Sequence, residues 1–227
     1  MGWSEYYRTV PESFCVQFGY DLLKRIFENR NGPAFPDGKS LNLVLGGFSP
    51  QTQTASSFVK YCQTLRPNYQ DKFFLLDFNE APMRRSFFNI YNQKGVSFIQ
   101  ADLTKLPFHS NSLDLIFLDG TTMFMDDEQV NLFLEQTNRV LTRNGLVVSS
   151  FRLPFLSQTV PLDNFMGKIR NRTPIYYRSE EQYRNLFSSR LRVVSLFDCG
   201  RNIGTLLAGR KDSPLKEFSG QSYLLYP

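Results

Sequence analysis

The sequence predicts an α/β protein in which a doubly wound, mostly parallel sheet carries helices on both faces. Five short apolar runs alternate with amphipathic helical segments as far as residue 151. Strands that are apolar throughout need cover on both faces, and this pattern is typical of parallel sheets. Two further apolar runs near the carboxyl terminus are joined by Gly200-Arg201-Asn202. Turn residues between runs so close together indicate a hairpin, so we expect seven strands with an antiparallel last strand.

Each element is predicted from its own pattern of residues. The strands are predicted at LNLVLGG (41–47), KFFLLDF (72–78), VSFIQAD (96–102), SLDLIFLDG (112–120), LVVSSF (146–151), LRVVSLFDC (191–199) and NIGTLLAGRK (202–211). Apolar residues at helical spacing predict helices over about 11–28, 54–65, 80–93 and 127–141 and near 180–187. The turn-forming triplet Arg143-Asn144-Gly145 is expected to separate the fourth helix from the strand that follows it.

The length of 227 residues and the 41% of hydrophobic residues suit one domain with one sizeable core. We expect a helical amino-terminal cap (1–40), a ligand-binding core (41–151), an insertion or lid (152–189), the hairpin (190–211) and a tail (212–227). No stretch approaches about 18 uninterrupted apolar residues, and the amino terminus does not have the pattern of a secretory peptide. The three cysteines lack metal-binding spacing and indicate a reducing compartment, so we expect a cytoplasmic protein without a membrane partner.

Ligands of doubly wound sheets bind beyond the carboxyl ends of the strands, where the strand order reverses. Three successive predicted strands finish with an acid at that edge, namely Asp77, Asp102 and Asp119. A carboxylate after the second strand is well placed to accept hydrogen bonds from ribose hydroxyls, and one after the third from an exocyclic amine. The sequence therefore predicts a ligand that contains adenosine. The alternative for each acid is an ordinary turn or helix cap.

Two segments resemble one protein family in register. QADLTKLPFHSNSLDLIFLDG and NRVLTRNGLVVSSF are similar to segments of the class I S-adenosylmethionine-dependent methyltransferases of the small-molecule type, and the resemblance covers roughly residues 41–211. It implies S-adenosylmethionine as the cofactor, Asp77 on the ribose hydroxyls and Asp102 on the adenine amine. It also implies cofactor contacts from the adenine-packing Phe78 and Leu103, from Asp119 and Gly120 beside the methionine portion, and from Gly46, Gly47, Phe48 and Ser49 after the first strand.

The glycine-rich loop after the first strand departs from this family. The family pattern is roughly acid-x-Gly-x-Gly-x-Gly, whereas LGGFSPQTQ has Leu45 at the acid and keeps only Gly47 of the glycines. Leu45 cannot accept a hydrogen bond from the methionine ammonium, and the side chains of Ser49 and Gln51 narrow the approach to the cofactor. An inactive methyltransferase-like scaffold that binds a protein partner is therefore the alternative to an enzyme with a small-molecule acceptor.

Other chemistries find less support in the sequence. His109 is the only histidine and lies in a polar turn, so neither a metal site nor a hydrolase is predicted. No catalytic residue is predicted either, because methyl transfer from a sulfonium depends mainly on alignment and needs little acid-base help. We expect the substrate pocket to be covered by aromatic and methionine residues of the amino-terminal cap (Trp3, Tyr6, Tyr7), of 123–125 and of the insertion, although a packed core needs the same residue types.

The insertion also suggests a third function. Eight of the chain's basic residues and only three acids lie between Arg152 and Arg192, among several aromatic residues. Such a segment favours RNA or another polyanion as a partner, through charge attraction and stacking. The alternative is a solvated basic surface, and no recognised nucleic-acid motif accompanies the cations.

Overall fold

The computed structural model describes residues 39–47, 54–80, 90, 93–152, 176–198 and 203–213. Within them, seven strands form one sheet in the order β3-β2-β1-β4-β5-β7-β6. The strands are β1 (Asn42–Gly46), β2 (Lys72–Asp77), β3 (Val96–Gln100), β4 (Leu113–Asp119), β5 (Leu141–Arg152), β6 (Arg192–Asp198) and β7 (Ile203–Gly209). The pairs among β1 to β5 are parallel, and β7 is antiparallel to both β5 and β6. The predicted fold class is thereby confirmed.

Three helices in the described part of the chain cover the sheet: α1 (Thr54–Leu65), α2 (Asp127–Val140) and α3 (Glu180–Ser188). Reciprocal side-chain hydrogen bonds close the amino-terminal ends of α2 and α3. Asp126 caps α2 together with Gln129, and Ser179 caps α3 together with Gln182. Each pair satisfies two backbone amides that a helix start would otherwise leave without a partner. The helix expected over 11–28 and most of the one over 80–93 lie outside the described residues.

Alternate residues of the inner strands face two separate layers of apolar side chains. On one face, Leu43, Leu45 and Phe117 pack with Phe58 and other residues of α1. On the other face, the core is completed by α2 and α3, with the fully buried Val44, Ile116, Leu118, Phe133, Tyr183 and Phe187. Burying one large apolar side chain stabilises the fold by about 1.5–3 kcal/mol, so both layers contribute to holding the sheet between its helices.

The start of β5 differs from the expected pattern. The strand begins at Leu141, directly after α2, and the residues 143–145 predicted as a turn lie inside it. The pairing with β4 shifts there, because Leu113 is opposite Leu141 while Leu115 is opposite Leu146. Between these two pairs, four residues of β5 stand opposite the single residue Asp114 of β4, which is more than the one extra residue of an ordinary β-bulge. The predicted turn residues therefore fall where the pairing between β4 and β5 is interrupted, and the strand assignment runs through them.

A buried ion pair joins the ends of α1, β1 and β2. Arg66 Nε donates to Asp71 Oδ2 over 2.8 Å, and Arg66 and Asp71 are both only 7% exposed. The other carboxylate oxygen of Asp71 accepts from the backbone N–H of Leu41 over 2.8 Å, and Arg66 Nη2 donates to the carbonyl oxygen of Lys39 over 2.7 Å. The pair thus sets where β1 and β2 enter the sheet.

Candidate functional site

The strand order reverses between β1 and β4, so a crevice is expected beyond the carboxyl ends of these two strands. The ends of β1, β2 and β4 are level to within one residue, because Gly46, the last residue of β1, is opposite Leu118 and Leu76, each one residue before the end of its strand. One strand further out, Asp77 is opposite Gln100. The residues that follow β1, β2, β3 and β4 consequently meet at one edge of the sheet.

Two glycines shape this edge with left-handed backbone conformations. Gly47 has φ +64° and Gly120 has φ +69°, a region that suits glycine because it has no Cβ. The amide of Gly47 donates to the carbonyl oxygen of Leu76 over 2.8 Å. The hydroxyl of Thr121 lies 2.9 Å from the carbonyl oxygen of Gly46 and 3.1 Å from that of Gly47, both of which can accept its proton. The loops after β1 and β4 are thereby tied together.

Asp77 is at the end of β2 and is only 6% exposed. Its Oδ1 accepts from the backbone N–H of Asn79 over 2.8 Å, which makes a local turn. Beside it, Phe78 is 60% exposed, and its carbonyl oxygen accepts from Gln100 Nε2 over 3.1 Å. An exposed aromatic ring next to a carboxylate offers both a stacking face and a hydrogen-bond acceptor.

Asp102 follows β3, and its carboxylate is exposed. Its Oδ1 accepts from the backbone N–H of Thr104 over 2.8 Å and caps the 3-10 turn Leu103–Lys105. The capping role weighed from the sequence is therefore present. Leu103 is buried, and a Cβ placed on Gly46 would lie 2.8 Å from its Cδ2. The residues after β3 thus reach across to the end of β1.

Asp119 ends β4 and is half-buried. Ser150 on the neighbouring β5 donates its hydroxyl towards Asp119 Oδ1 and the carbonyl oxygen of Leu118, both at 3.2 Å. The amide of Gly120 donates to the carbonyl oxygen of Ser150 over 3.0 Å. Ser150 was not among the predicted site residues, although two successive serines at the end of an apolar strand were a usable signal.

The structure thus brings together the predicted Gly46, Gly47, Leu103 and Gly120, with Asp77, Phe78, Asp102 and Asp119 at the same edge. Phe48 and Ser49 lie outside the described residues, as do residues 1–38 of the expected cap and residues 153–175 of the insertion. Leu45 is fully buried and pairs with Leu75 and Phe117, so this residue at the family's acidic position serves packing.

Arg178 is one of the eight cations in the basic segment, and its side chain is turned inward. It is 5% exposed and pairs with Asp127 through Nη2 and Oδ1 at 2.7 Å. This cation is therefore engaged within the protein and cannot contribute to an exposed basic surface. Binding of RNA by the rest of the segment stays a prediction.

In the part of the chain that the structure describes, His109 and Cys62 are two groups that other reaction classes could use. His109 is exposed, and the hydroxyl of Ser112 donates to its carbonyl oxygen over 2.7 Å. Burial raises the pKa of the Cys62 thiol far above its usual range, with the nearby Asp71 adding to the effect and Arg66 opposing it. A thiol so shielded is not a nucleophile at neutral pH. Across the described residues, no cluster of three metal-ligating side chains occurs, and no helix is long and apolar enough to cross a membrane.

Comparison with known proteins agrees with this geometry. Residues 55–149 match the family model described as a methyltransferase domain. A S-adenosylmethionine-dependent methyltransferase from Aquifex aeolicus superposes with a TM-score of 0.61 over 90% of this chain and 97% of its own, at 16% identity. The chain has the class I S-adenosylmethionine-dependent methyltransferase fold. The resemblance drawn from the two sequence segments is confirmed at that level.

Two further structures share this methyltransferase fold. The PH0226 protein from Pyrococcus horikoshii OT3 has a TM-score of 0.66 and 14% identity, over 91% of this chain and 99% of its own. The geranyl diphosphate C-methyltransferase from Streptomyces coelicolor A3(2) has a TM-score of 0.61 and 12% identity, over 86% of this chain and 78% of its own. Its structure holds Mg²⁺, geranyl diphosphate and S-adenosyl-L-homocysteine. No curated protein matches the sequence.

Proposed function

We propose that this chain is a S-adenosylmethionine-dependent methyltransferase that acts on a small molecule. The observation that carries the proposal is the arrangement at the switch point, where a left-handed glycine turn after β1 lies beside strands that finish in acids. The glycine turn permits close approach of a ligand to the backbone, and the acids offer acceptors to a nucleoside. The matching methyltransferase family model supports the same cofactor.

In this proposal each group of residues has one task. Asp77 accepts hydrogen bonds from the ribose hydroxyls, Asp102 accepts one from the adenine amine, and Phe78 and Leu103 pack on the adenine faces. The turns after β1 and β4, with the residues Gly46, Gly47, Phe48, Ser49, Asp119 and Gly120, hold the methionine portion. S-adenosylmethionine, when bound, supplies a methyl group on a positively charged sulfur. These residues act by orienting that methyl group towards an acceptor, and orientation accounts for much of the rate of such transfers.

The proposed acceptor is small and apolar or planar. Residues 121–125 after β4 read Thr-Thr-Met-Phe-Met, and Phe124 and Met125 are partly buried against the α2 side of the core. Tyr177 packs into the same layer. Apolar side chains next to the crevice favour an acceptor that itself buries apolar surface. The Streptomyces coelicolor enzyme is named for geranyl diphosphate, a small compound that joins an apolar chain to a charged diphosphate group.

Calorimetric titration with S-adenosylmethionine and S-adenosylhomocysteine tests the proposal. We expect both to bind, and Asp77→Ala to weaken each by about tenfold or more, since a hydrogen bond to a charged acceptor contributes about 1.5–3 kcal/mol. Asp212→Ala is the matched control. Asp212 pairs with Arg210 and follows β7, whose last residue, Gly209, is opposite Leu146, far from the carboxyl end of β5 and from the crevice. Absence of binding below about millimolar concentration, with Asp77→Ala indistinguishable from the parent, would refute the proposal.

The buried Leu45 supports a second candidate, a scaffold that has lost catalysis and binds a protein partner. At this position the family's acid accepts hydrogen bonds, whereas Leu45 is fully buried in the apolar layer beneath α1. The same titration separates the candidates. A folded protein with no affinity for either ligand favours the scaffold, and binding that depends on Asp77 favours the enzyme.

A further inference from the structure

We infer that Arg178 is a positioning residue that fixes the turn after β4 to the chain segment 176–178. Because this turn also contacts the backbone of Gly46 and Gly47, Arg178 positions that backbone indirectly. The effect of Arg178 on the backbone is argued from hydrogen bonds and packing in the structure. Its consequence for cofactor affinity rests on the proposed function. Arg178 belongs to neither of the two sequence segments that resemble the methyltransferases.

The guanidinium of Arg178 holds both ends of the turn formed by residues 121–125. Its Nη1 donates to the carbonyl oxygen of Thr122 over 3.0 Å, and its Nη2 donates to that of Met125 over 2.7 Å. Its Nε donates to Asp127 Oδ1 over 2.9 Å, at the first residue of α2. Because the guanidinium is planar and its donors are rigidly spaced, it can engage three acceptors at once, which a lysine ammonium cannot do in this geometry.

The surroundings of the guanidinium leave it little freedom. Its central carbon lies 5.7 Å from the centroid of the Tyr183 ring, and that ring stacks on Phe151 with the two centroids 3.7 Å apart. The amide of Tyr176 donates to the carbonyl oxygen of Met123 over 2.7 Å, which adds a backbone bond to the same turn. A buried cation between a ring and backbone carbonyl oxygens is costly to displace, because the buried carbonyl oxygen of Thr122 would lose a donor.

The turn held by Arg178 reaches the crevice through its first residue. Thr121 lies 2.9 Å and 3.1 Å from the carbonyl oxygens of Gly46 and Gly47, while the next residue, Thr122, accepts from Arg178. Loss of the guanidinium removes the side-chain donors from the carbonyl oxygens of Thr122 and Met125 and, within the described residues, leaves Thr122 with only the long bond from the amide of Met125, at 3.4 Å. The turn then holds Thr121 against the glycine loop less firmly. Arg178 thus helps to fix the position of the Gly46 and Gly47 backbone, which the proposed cofactor would contact.

Hydrogen exchange provides a test that needs no ligand. In Arg178→Gln we expect the amides of 121–126 and of Gly47 to exchange about tenfold faster than in the parent, and in Arg178→Lys by an intermediate factor. Arg184→Gln is the matched control, because Arg184 lies in α3 and forms a half-exposed pair with Glu180 at 3.6 Å. It should leave those amides unchanged. Acceleration confined to 176–188, or spread evenly over the sheet, would overturn the inference.

Affinity for S-adenosylhomocysteine distinguishes a role of Arg178 in positioning the glycine loop from a role in stabilising the fold only. At a temperature where parent and variant are both fully folded, Arg178→Gln should raise the dissociation constant by about tenfold, whereas a merely structural role leaves it unchanged. If Arg178→Gln does not fold, Asp127→Asn serves instead, since it removes the charge partner and keeps the carbonyl contacts. It should shift exchange and affinity in the same direction by less, and no shift would overturn the inference. A parent without affinity for the ligand refutes the proposed function, and exchange then decides the inference.

Discussion

Gly47 and Gly120 have nearly the same backbone angles and different surroundings. A Cβ on Gly47 would lie 2.5 Å from Thr121 Oγ1, whereas a Cβ on Gly120 would meet nothing within 4 Å. A side chain in the left-handed region costs about 1–2 kcal/mol at either position. We expect Gly120→Ala to lose only that amount of unfolding free energy in urea, and Gly47→Ala to lose about 1–3 kcal/mol more because the contact must be relieved. Equal losses would show that Thr121 moves at no cost.

At the scale of elements, the pair of Arg66 and Asp71 joins the end of α1 to the starts of β1 and β2. Asp71→Asn leaves the buried guanidinium without its charge partner, and we expect unfolding free energy to fall by about 3–5 kcal/mol in urea denaturation. The control is Asp212→Asn, which breaks the exposed pair with Arg210 and should cost at most about 1 kcal/mol. A loss at Asp71 as small as that of the control would contradict the assigned role of the pair.

At the scale of the whole molecule, the sheet depends on a strand that comes late in the chain. β7 lies between β5 and β6 and pairs with both, with Leu206, Leu207 and Ala208 fully buried. A chain that ends after residue 189 would expose the edge of β5 and leave both apolar layers incomplete. We expect it to aggregate and to show no cooperative thermal unfolding by circular dichroism.

The matched control for this truncation is a chain that ends after Ser213, the last described residue. The sequence predicts 212–227 as a tail, so this shorter chain should elute as a folded species and unfold in one transition. Cooperative unfolding of the chain that ends at 189 would mean that residues 41–189 form a core without the hairpin.

The strands could be predicted from the sequence because buried parallel strands are apolar on both faces and form continuous runs. α1 was predicted at the residues where it occurs, 54–65, and each strand of the first four was located within two residues of its ends. The expected end of the turn at 145 differs from the observed start of β5 at Leu141, because the strand begins before the triplet and its pairing with β4 shifts across residues 142–145. The proposed roles of the site residues stay predictions; the structure shows only that Gly46, Asp77 and Asp119 lie at the ends of parallel strands, as the strand pattern indicated.

The sequence by itself determined the alternation of strands and helices, the antiparallel hairpin and the acids at the carboxyl ends of the strands. These features follow from local periodicity and from the geometry common to all doubly wound sheets. Only the tertiary structure decided that β7 enters between β5 and β6, that Thr121 contacts Gly47, and that Arg178 is internal. The three partners of Arg178 at the turn and at the start of α2 lie 51 to 56 residues away along the chain. No local pattern encodes such contacts, because they form only when the packing of separate elements brings a donor and its acceptors together.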